Sequence, residues 1–328
     1  MIFAIAQFFK QAVIQGIPLL FGSTGEIITE KSGNLNLGIP GIMYMGGISG
    51  IIGAFFYEMY GNTENAFLCV LIPLVCSCIG SVIMGLIYSF LTITLRANQN
   101  VTGLAITTFG VGVGNFFGGS LPSLFGQPSG TISLITTGNY FKTTLPFASK
   151  LGAFGEAFLS YGFLAYLAVV IAVISSFVLT KTRVGLNLRA VGESPATADA
   201  AGISVIKYKY IATCIGSAIA GLGGLYFVMD YTGGAWTNGG FGDRGWLAIA
   251  LVIFAVWKPK FGILGSVLFG GLYILPMQFN GLSSAATELI KMLPYVVTIL
   301  VLIFISIRKK RENQPPASLG ISYFREER

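Results

Sequence analysis

Amide and aromatic side chains form the most chemically suggestive set in this 328-residue sequence. Amides donate and accept hydrogen bonds, and aromatic rings offer flat faces for stacking. Together they would suit a nucleobase or another small neutral solute. The alternative is that the asparagines cap interrupted helices and the tryptophans lie at a membrane–water interface. The candidates for a substrate path are Asn34, Asn36, Asn100, Trp236 and Trp246.

The sequence offers little for catalysis. It contains no histidine, and we find no nucleophile beside a base, no buried acid pair and no cysteine or histidine spacing typical of a metal site. It also has no Gly-Lys pair, which a phosphate-binding P-loop requires. We therefore predict a non-catalytic chain that binds no cofactor or metal itself. If ATP drives it, another polypeptide must bind the nucleotide.

The composition is that of a membrane protein with many spans. Hydrophobic residues make up 54% of the chain and charged residues only 10%, whereas about a quarter of the residues of soluble domains are charged. The net charge of +7 is not gathered on one face with interleaved aromatic residues, so a nucleic-acid partner is not expected. Lysine and arginine lie instead at the ends of apolar segments. This is the distribution expected when cytoplasmic loops carry an excess of lysine and arginine.

We predict an all-α bundle of eight or nine transmembrane spans with interrupted helices. Residues 1–307 form one transmembrane domain, and residues 308–328 form a cytoplasmic, disordered tail after the basic run Arg308-Lys-Lys-Arg311. The segment Trp246 to Trp257 is too short to cross a bilayer as a straight helix. Counting it as a crossing gives nine spans, which we prefer, and counting it as re-entrant gives eight.

Two segments rich in glycine enter short helices, one in each half of the chain: Ser32 to Gly41 and Gly233 to Gly245. Paired interruptions of this kind often mark a substrate site near the middle of the membrane. A glycine stripe at Gly110, Gly114 and Gly118 allows two interpretations, close helix packing or a slim wall of a substrate path.

The polar stretch from Lys181 to Lys209 separates two hydrophobic halves. Ser194 is a good N-cap, Pro195 suits the first helical position, and Gly202 suits the residue after a helix end. The predicted helix, Pro195 to Ala201, carries almost no bulky apolar side chain, so we expect it to dock on a partner. The alternative is a basic loop that only fixes the topology.

Three stretches carry a family resemblance. They are residues 183–203 (RVGLNLRAVGESPATADAAGI), residues 30–41 (EKSGNLNLGIPG), and residues 243–250 (DRGWLAIA) followed by Trp257-Lys-Pro. They resemble the permeases of ABC importers, in the family that includes ribose and branched-chain amino-acid permeases, and look closest to its nucleoside-uptake branch. The family usually has an acidic residue where this chain has Pro40, so that acid's role has no counterpart here.

The resemblance implies a transmembrane permease of the inner membrane, with residues 181–209 as the cytoplasmic coupling loop. It implies cytoplasmic ATPase subunits that bind ATP and magnesium, a second permease or a second copy of this chain, and an external binding protein. The residues expected to couple to the ATPase are Arg189, Glu193, Ser194, Pro195, Asp199 and Gly202.

An ion-coupled carrier working without an ATPase is the alternative function. Such carriers place ionisable residues inside their spans. Here we expect only Lys10 and Glu26 in such positions, while Glu288 and Lys291 form a pair near the start of a span. The alternative is therefore weakly supported by the sequence.

Overall fold

The computed structural model describes residues 2–126, 132–146, 148–279, 283–308 and 314–325. Within these ranges the chain is helical, and its only β-pairing is the isolated bridge between Ser133 and Ala235. This confirms the predicted all-α bundle. The α-helices are α1 Ile2–Glu30, α2 Ile39–Tyr60, α3 Ala66–Ser89, α4 Gln99–Leu124, α5 Ile135–Phe141, α6 Gly152–Phe158, α7 Phe163–Lys181, α8 Arg183–Glu193, α9 Pro195–Ala200, α10 Val205–Tyr226, α11 Arg244–Phe254, α12 Pro259–Ile274, α13 Ser284–Lys291 and α14 Leu293–Arg308.

Seven helical segments of the described chain are long and apolar enough to cross a membrane. Two of them end in a π-helical turn, Phe90–Thr94 after α3 and Phe227–Tyr231 after α10. Two further apolar helices, α11 and α12, are shorter than these seven segments. The choice between eight and nine crossings stays a prediction. The segments are Phe3–Glu30, Ile39–Tyr60, Ala66–Thr94, Gln99–Leu124, Phe163–Lys181, Val205–Tyr231 and Ser284–Phe304.

Glycines let the central helices approach one another closely. A Cβ atom added at Gly25 of α1 would lie 2.2 Å from the carbonyl oxygen of Gly216 in α10. A Cβ atom at Gly46 of α2 would lie 2.4 Å from the Cα atom of Gly221. Backbone thus packs on backbone, as expected where small residues form helix interfaces in membranes.

The glycine stripe of α4 is a packing surface. A Cβ atom added at Gly110 would lie 2.3 Å from the carbonyl oxygen of Gly41, and one at Gly114 would lie 2.7 Å from the ring of Tyr44. Gly118 faces the indole of Trp236. Of the two interpretations of this stripe, close helix packing is the one that the structure supports.

The two predicted interruptions meet inside the bundle. Residues 31–38 separate α1 from α2, and residues 232–243 precede α11. Gly245, at the start of α11, lies against Pro40, at the start of α2, so that an added Cβ atom would be 2.5 Å from the Cα atom of Pro40. The N-termini of two helices that begin within the protein therefore pack on each other, and Pro40 forms the contact.

The polar stretch 181–209 holds more structure than the sequence indicated. The short helix is present as α9, but α8 precedes it and was not predicted. We expected almost no side chain of α9 to pack on the rest of its own chain, and this expectation is wrong in one respect. Ala198 is buried and packs beside Val191 and Val205.

The C-terminal tail is ordered where it is described, so the prediction of disorder is wrong for residues 314–325. Gly320 donates a backbone hydrogen bond of 3.2 Å to the carbonyl oxygen of Gly33, and Ser318 donates one of 3.0 Å to that of Gly192. The tail thus crosses the ends of α1 and α8. We call this end of the bundle the coupling end. The predicted basic stop at residues 309–311 lies outside the described residues.

Candidate functional site

Asn34 and Asn36 are fully buried in the interruption between α1 and α2. The Asn34 amide donates a 3.1 Å hydrogen bond to Oγ1 of Thr213, and Oδ1 of Asn36 accepts one of 2.9 Å from the backbone N–H of Gly38. Oδ1 of Asn34 and Nδ2 of Asn36 have no partner among the described residues. Asn34 therefore joins the interruption to α10 and Asn36 supports the backbone of its own segment, each with one atom, while the other atom of each amide is unpaired among the described residues.

Other polar side chains hold the same segment, and sequence reasoning missed them. The backbone N–H of Leu35 donates to Oε1 of Gln99 at 2.6 Å, and the Tyr88 hydroxyl donates to the Leu35 carbonyl at 2.6 Å. Thr107 donates to the carbonyl of Leu37 at 2.8 Å. A polar residue within an apolar helix is the signal that could have found them, because buried polar groups need partners.

A pair of buried acids lies beside the interruption, and the expectation that the chain has no such pair is wrong. Glu26 and Glu30, one turn apart on α1, are 1% and 3% exposed. Oε1 of Glu26 accepts a 3.0 Å hydrogen bond from the backbone N–H of Asn36, and Glu30 accepts one from the indole N–H of Trp257. The pair joins α1 to the interruption and to the end of α11.

Trp236 faces the interior, as a substrate-path residue would. Its indole donates a 2.8 Å hydrogen bond to Asn238, and its ring meets that of Tyr44 edge to face with 5.7 Å between centroids. The cavity beside these two rings measures about 10 Å³, too small for a solute, so the centre of the bundle is closed in this conformation.

The structure does not bring the remaining two candidates into this site. Asn100 is exposed at the start of α4, and Trp246 is 38% exposed on the outer face of α11. The predicted path residues that lie in the interior are Asn34, Asn36 and Trp236. Tyr44, on α2 two turns after Gly38, lies between the interruption and Trp236.

Arg244 is a site residue that was not among the predicted path or coupling residues. Its guanidinium is buried, donates to Gln15 and to the carbonyl of Phe241 at 2.9 Å each, and has Nε without a partner among the described residues. It also lies over three aromatic rings, with Cζ 4.6 Å from the centroid of Phe227, 5.4 Å from that of Tyr231 and 4.8 Å from that of Tyr273. It fixes the second interruption to α1, α10 and α12.

At the coupling end, the caps of α9 are as predicted. Ser194 accepts a hydrogen bond from the backbone N–H of Thr197, Pro195 occupies the first turn, and Gly202 has a φ of +80° just after the helix. That conformation costs a glycine little. The exposed face of α9 consists of small residues and leaves room for another backbone: Ala196, Thr197 and Ala200.

The charged residues predicted to couple to an ATPase have different surroundings. Arg189 and Glu193 are exposed on α8. Burial lowers the pKa of nearby Lys31, and the charge of Glu193 opposes that shift. The Asp199 side chain is only 15% exposed and is engaged by the tail of its own chain, through Arg325 at 3.2 Å and Tyr323 at 2.9 Å.

The coupling end lies directly on the first interruption. A Cβ atom added at Gly192, near the end of α8, would lie 2.3 Å from the carbonyl oxygen of Lys31. Lys31 begins the segment that carries Asn34 and Asn36. A displacement of α8 and α9 would therefore press on that segment through a backbone contact.

These features define a class: a multi-pass membrane protein for transport, with helices that begin at mid-bundle and a surface of small residues at one end. A family described as the permease component of the branched-chain amino acid transport system matches residues 8–302, and the chain belongs to this family. In ABC transporters of this kind the permease is non-catalytic and the ATPase is a separate protein.

Several relatives match almost the whole chain. A putative glucose ABC transporter permease, TsgC13 of Haloferax volcanii, is 32% identical over 94% of each chain. The nucleoside ABC transporter permease NupC of Lactococcus lactis subsp. cremoris is 30% identical over 88% of this chain and 89% of its own. The guanosine ABC transporter permease NupQ of Bacillus subtilis is 28% identical over 96% of each.

Proposed function

We propose that this chain is the permease of an ABC importer that carries a nucleoside, or a similar small neutral solute, across the cytoplasmic membrane. The observation that carries the proposal is the contact of Gly192 with the carbonyl of Lys31, because it joins the surface open to a partner to the segment with the unpaired amides of Asn34 and Asn36.

The nucleoside is proposed on two grounds. Two of the relatives named above are described as nucleoside or guanosine permeases. The free Oδ1 of Asn34 and the free Nδ2 of Asn36 offer one acceptor and one donor, which complement the donor and acceptor edge of a base. Trp236 and Tyr44 supply aromatic faces two turns away. A sugar is the second candidate, because one relative is described as a putative glucose permease.

The assembly that we propose has cytoplasmic ATPase subunits, which bind ATP and magnesium, and an external binding protein. A second homologous permease or a second copy of this chain completes the membrane part. With nine crossings, the coupling end faces the cytoplasm together with Arg96, the stretch 181–209, Lys258 and Lys260. This agrees with the excess of lysine and arginine in cytoplasmic loops.

The mechanism follows from the contacts at the coupling end. Closure of the ATPase pair moves α9, held by Ser194 and Pro195, and α8 moves with it through the buried Ala198 and Val191. Arg189 and Glu193 are the charged contacts that remain exposed. Gly192 then displaces the segment that holds Asn34 and Asn36 and opens the closed centre. Asn100 and Trp246 stay predicted path residues outside this centre.

The experiment is ATP-driven uptake into proteoliposomes that contain the chain with its cognate ATPase and binding protein, using labelled uridine, guanosine and glucose. We expect uptake of the nucleosides. Uptake of glucose alone would contradict the proposed substrate class, and uptake driven by an ion gradient without ATP would contradict the transport mechanism.

The variant for the docking surface is Ala200→Arg on the exposed face of α9, rather than a change at Asp199, which also holds the tail. We expect at least a tenfold loss of uptake and loss of the ATPase on co-purification. The control is Ala66→Arg, exposed at the start of α3. Normal assembly and uptake with Ala200→Arg would contradict the docking role.

A further inference from the structure

A small polar cavity lies at the coupling end, where the tail crosses the end of α3 and the start of α10. Its volume is about 130 Å³. Three basic residues and one acid line it, together with hydroxyl groups, and it is distinct from the interruption with Asn34 and Asn36. The polar lining residues include Arg96, Asp199, Ser204, Lys209, Ser322 and Arg325.

The cavity has an excess of positive charge. The Asp199 carboxylate already accepts from Nε of Arg325 at 3.2 Å and from the hydroxyl of Tyr323 at 2.9 Å. Its charge is therefore balanced by that of Arg325. The charges of Arg96 and Lys209 have no carboxylate among the described lining residues to balance them.

Lys209 is the strongest indication that the cavity takes an anion. The residue is 3% exposed and lines the cavity, and none of the hydrogen bonds and ion pairs of the described residues involves its ammonium group. Because most of its side chain is buried, the ammonium group keeps hydration only from the cavity, and an anion bound there would replace what burial removes. Lys207, two residues earlier on the same helix, is exposed and is hydrated by solvent instead.

Arg96 is held in place at a conformational cost. Its φ of +58° is uncommon for a residue other than glycine. Its guanidinium lies 4.5 Å from the ring centroid of Phe324 in the tail. Such strained residues cluster at ligand sites. The backbone after α3 thus directs an arginine towards the tail and the cavity.

We propose that this cavity binds a phosphate group, supplied by the headgroup of an anionic phospholipid or by free phosphate. The cavity of about 130 Å³ has room for one tetrahedral anion. Guanidinium, ammonium and hydroxyl donors are the groups that bind phosphate in proteins. Leu95, next to Arg96, and Ile206, which lines the cavity, expose apolar side chains that the acyl chains of a lipid would contact.

A bound phosphate would connect three parts of the coupling end: Arg96 after α3, Lys209 on α10 and Arg325 on the tail. Arg325 also holds Asp199 of α9. The anion would thereby fix the tail on α9. This proposal goes beyond the transport function and does not depend on the solute.

The test is thermal unfolding of the purified full chain in detergent, followed by tryptophan fluorescence. Sodium phosphate is titrated against sodium chloride at equal ionic strength, and short-chain phosphatidylglycerol against the matching phosphatidylcholine. We expect a saturable upward shift with phosphate, phosphatidylglycerol or both. A shift with phosphatidylglycerol alone identifies a lipid headgroup as the source, and an equal shift with phosphate identifies the free anion.

The decisive variant is Lys209→Met, which keeps the stem of the side chain and removes its charge. We expect it to weaken the apparent affinity for the effective probe at least tenfold, and the matched control Lys207→Met to leave it unchanged. Arg325→Gln, at a side chain that is 74% exposed, gives the same test without altering the bundle, with an expected loss of at least threefold. Absence of a saturable shift, or unchanged affinity in either test variant, would overturn the proposal.

Discussion

The hydroxyl of Tyr323 donates a 2.9 Å hydrogen bond to Oδ2 of Asp199, across 124 residues of sequence. The C-terminal tail is thereby fastened to the helix that we propose as the docking site of the ATPase. Asp199 is held within its own chain, so the face of α9 that remains for a partner is the one formed by Ala196, Thr197 and Ala200.

Tyr323→Phe should loosen the tail without unfolding the bundle. A hydrogen bond to a charged group contributes about 1.5–3 kcal/mol to stability, and less where water has access. A change of about 1.4 kcal/mol corresponds to a tenfold change in an equilibrium constant. We expect the backbone amides of Ser318 and Gly320 to exchange hydrogen roughly tenfold faster. Mass-spectrometric hydrogen exchange measures this.

The control for the tail is Tyr60→Phe, at a ring that is 73% exposed at the end of α2. It should leave exchange in residues 318–321 unchanged. If Tyr323→Phe also leaves it unchanged, the hydrogen bond to Asp199 does not hold the tail.

Gly110→Ala should destabilise the protein, because the added methyl group would meet the backbone carbonyl of Gly41 at 2.3 Å. Backbone cannot yield as a side chain can, so α4 must move away from α2, at about 1–3 kcal/mol. Gly112→Ala, on the same helix with nothing within 4 Å of the added atom, should be neutral or gain up to about 1 kcal/mol. Thermal unfolding of both variants measures the difference, and equal midpoints would contradict the packing role of the stripe.

Features with a local cause were predictable from sequence. Ser194, Pro195 and Gly202 frame α9 because a cap hydroxyl, a fixed φ and freedom at positive φ act within one turn. The spans were predictable because a lipid-facing segment must be apolar over its whole length. Helix ends are less predictable: α1 continues to Glu30, because donors inside the protein, the N–H groups of Asn36 and Trp257, pair with the acids of its last turns.

Features made by distant parts of the chain were not predictable. Nothing near Glu30 in the sequence indicates its partner, Trp257, which lies 227 residues away. The order of the tail was not predictable, because the tail is held by hydrogen bonds to backbone carbonyls, such as that of Gly33. Contacts to backbone leave no pattern in a sequence. The helix α8 was missed because Leu188 and Val191 are too few to give an apolar stripe, although both are buried.

Glu26→Ala should be costly because it removes the acceptor of the Asn36 backbone N–H, which is buried with it. An unsatisfied buried donor costs about 1–3 kcal/mol. Glu26→Gln keeps a side-chain oxygen in place and should lose less than half as much. Glu64→Ala, exposed between α2 and α3, is the surface control, expected within about 0.5 kcal/mol of the parent. Thermal unfolding ranks the three variants, and equal stability of Glu26→Ala and Glu64→Ala would show that Glu26 does not support the interruption.

Arg244→Lys should be damaging although the charge is kept. The planar guanidinium reaches Gln15 and the carbonyl of Phe241 at 2.9 Å each while it lies over the rings of Phe227 and Tyr273, and an ammonium group cannot make these contacts together. Loss of one charged hydrogen bond in a buried site predicts a destabilisation of about 2 kcal/mol. Because Arg244 anchors the second interruption, uptake in proteoliposomes should also fall, by at least tenfold.

The matched control for this change is Arg183→Lys, at an exposed arginine that begins α8. It carries the same chemical substitution without a buried network, so its unfolding midpoint and its uptake should equal those of the parent. The contrast between the two variants separates the geometry of the guanidinium from its charge. If Arg244→Lys also unfolds and transports like the parent, charge alone suffices at the start of α11, and Arg244 does not fix the second interruption through its planar contacts.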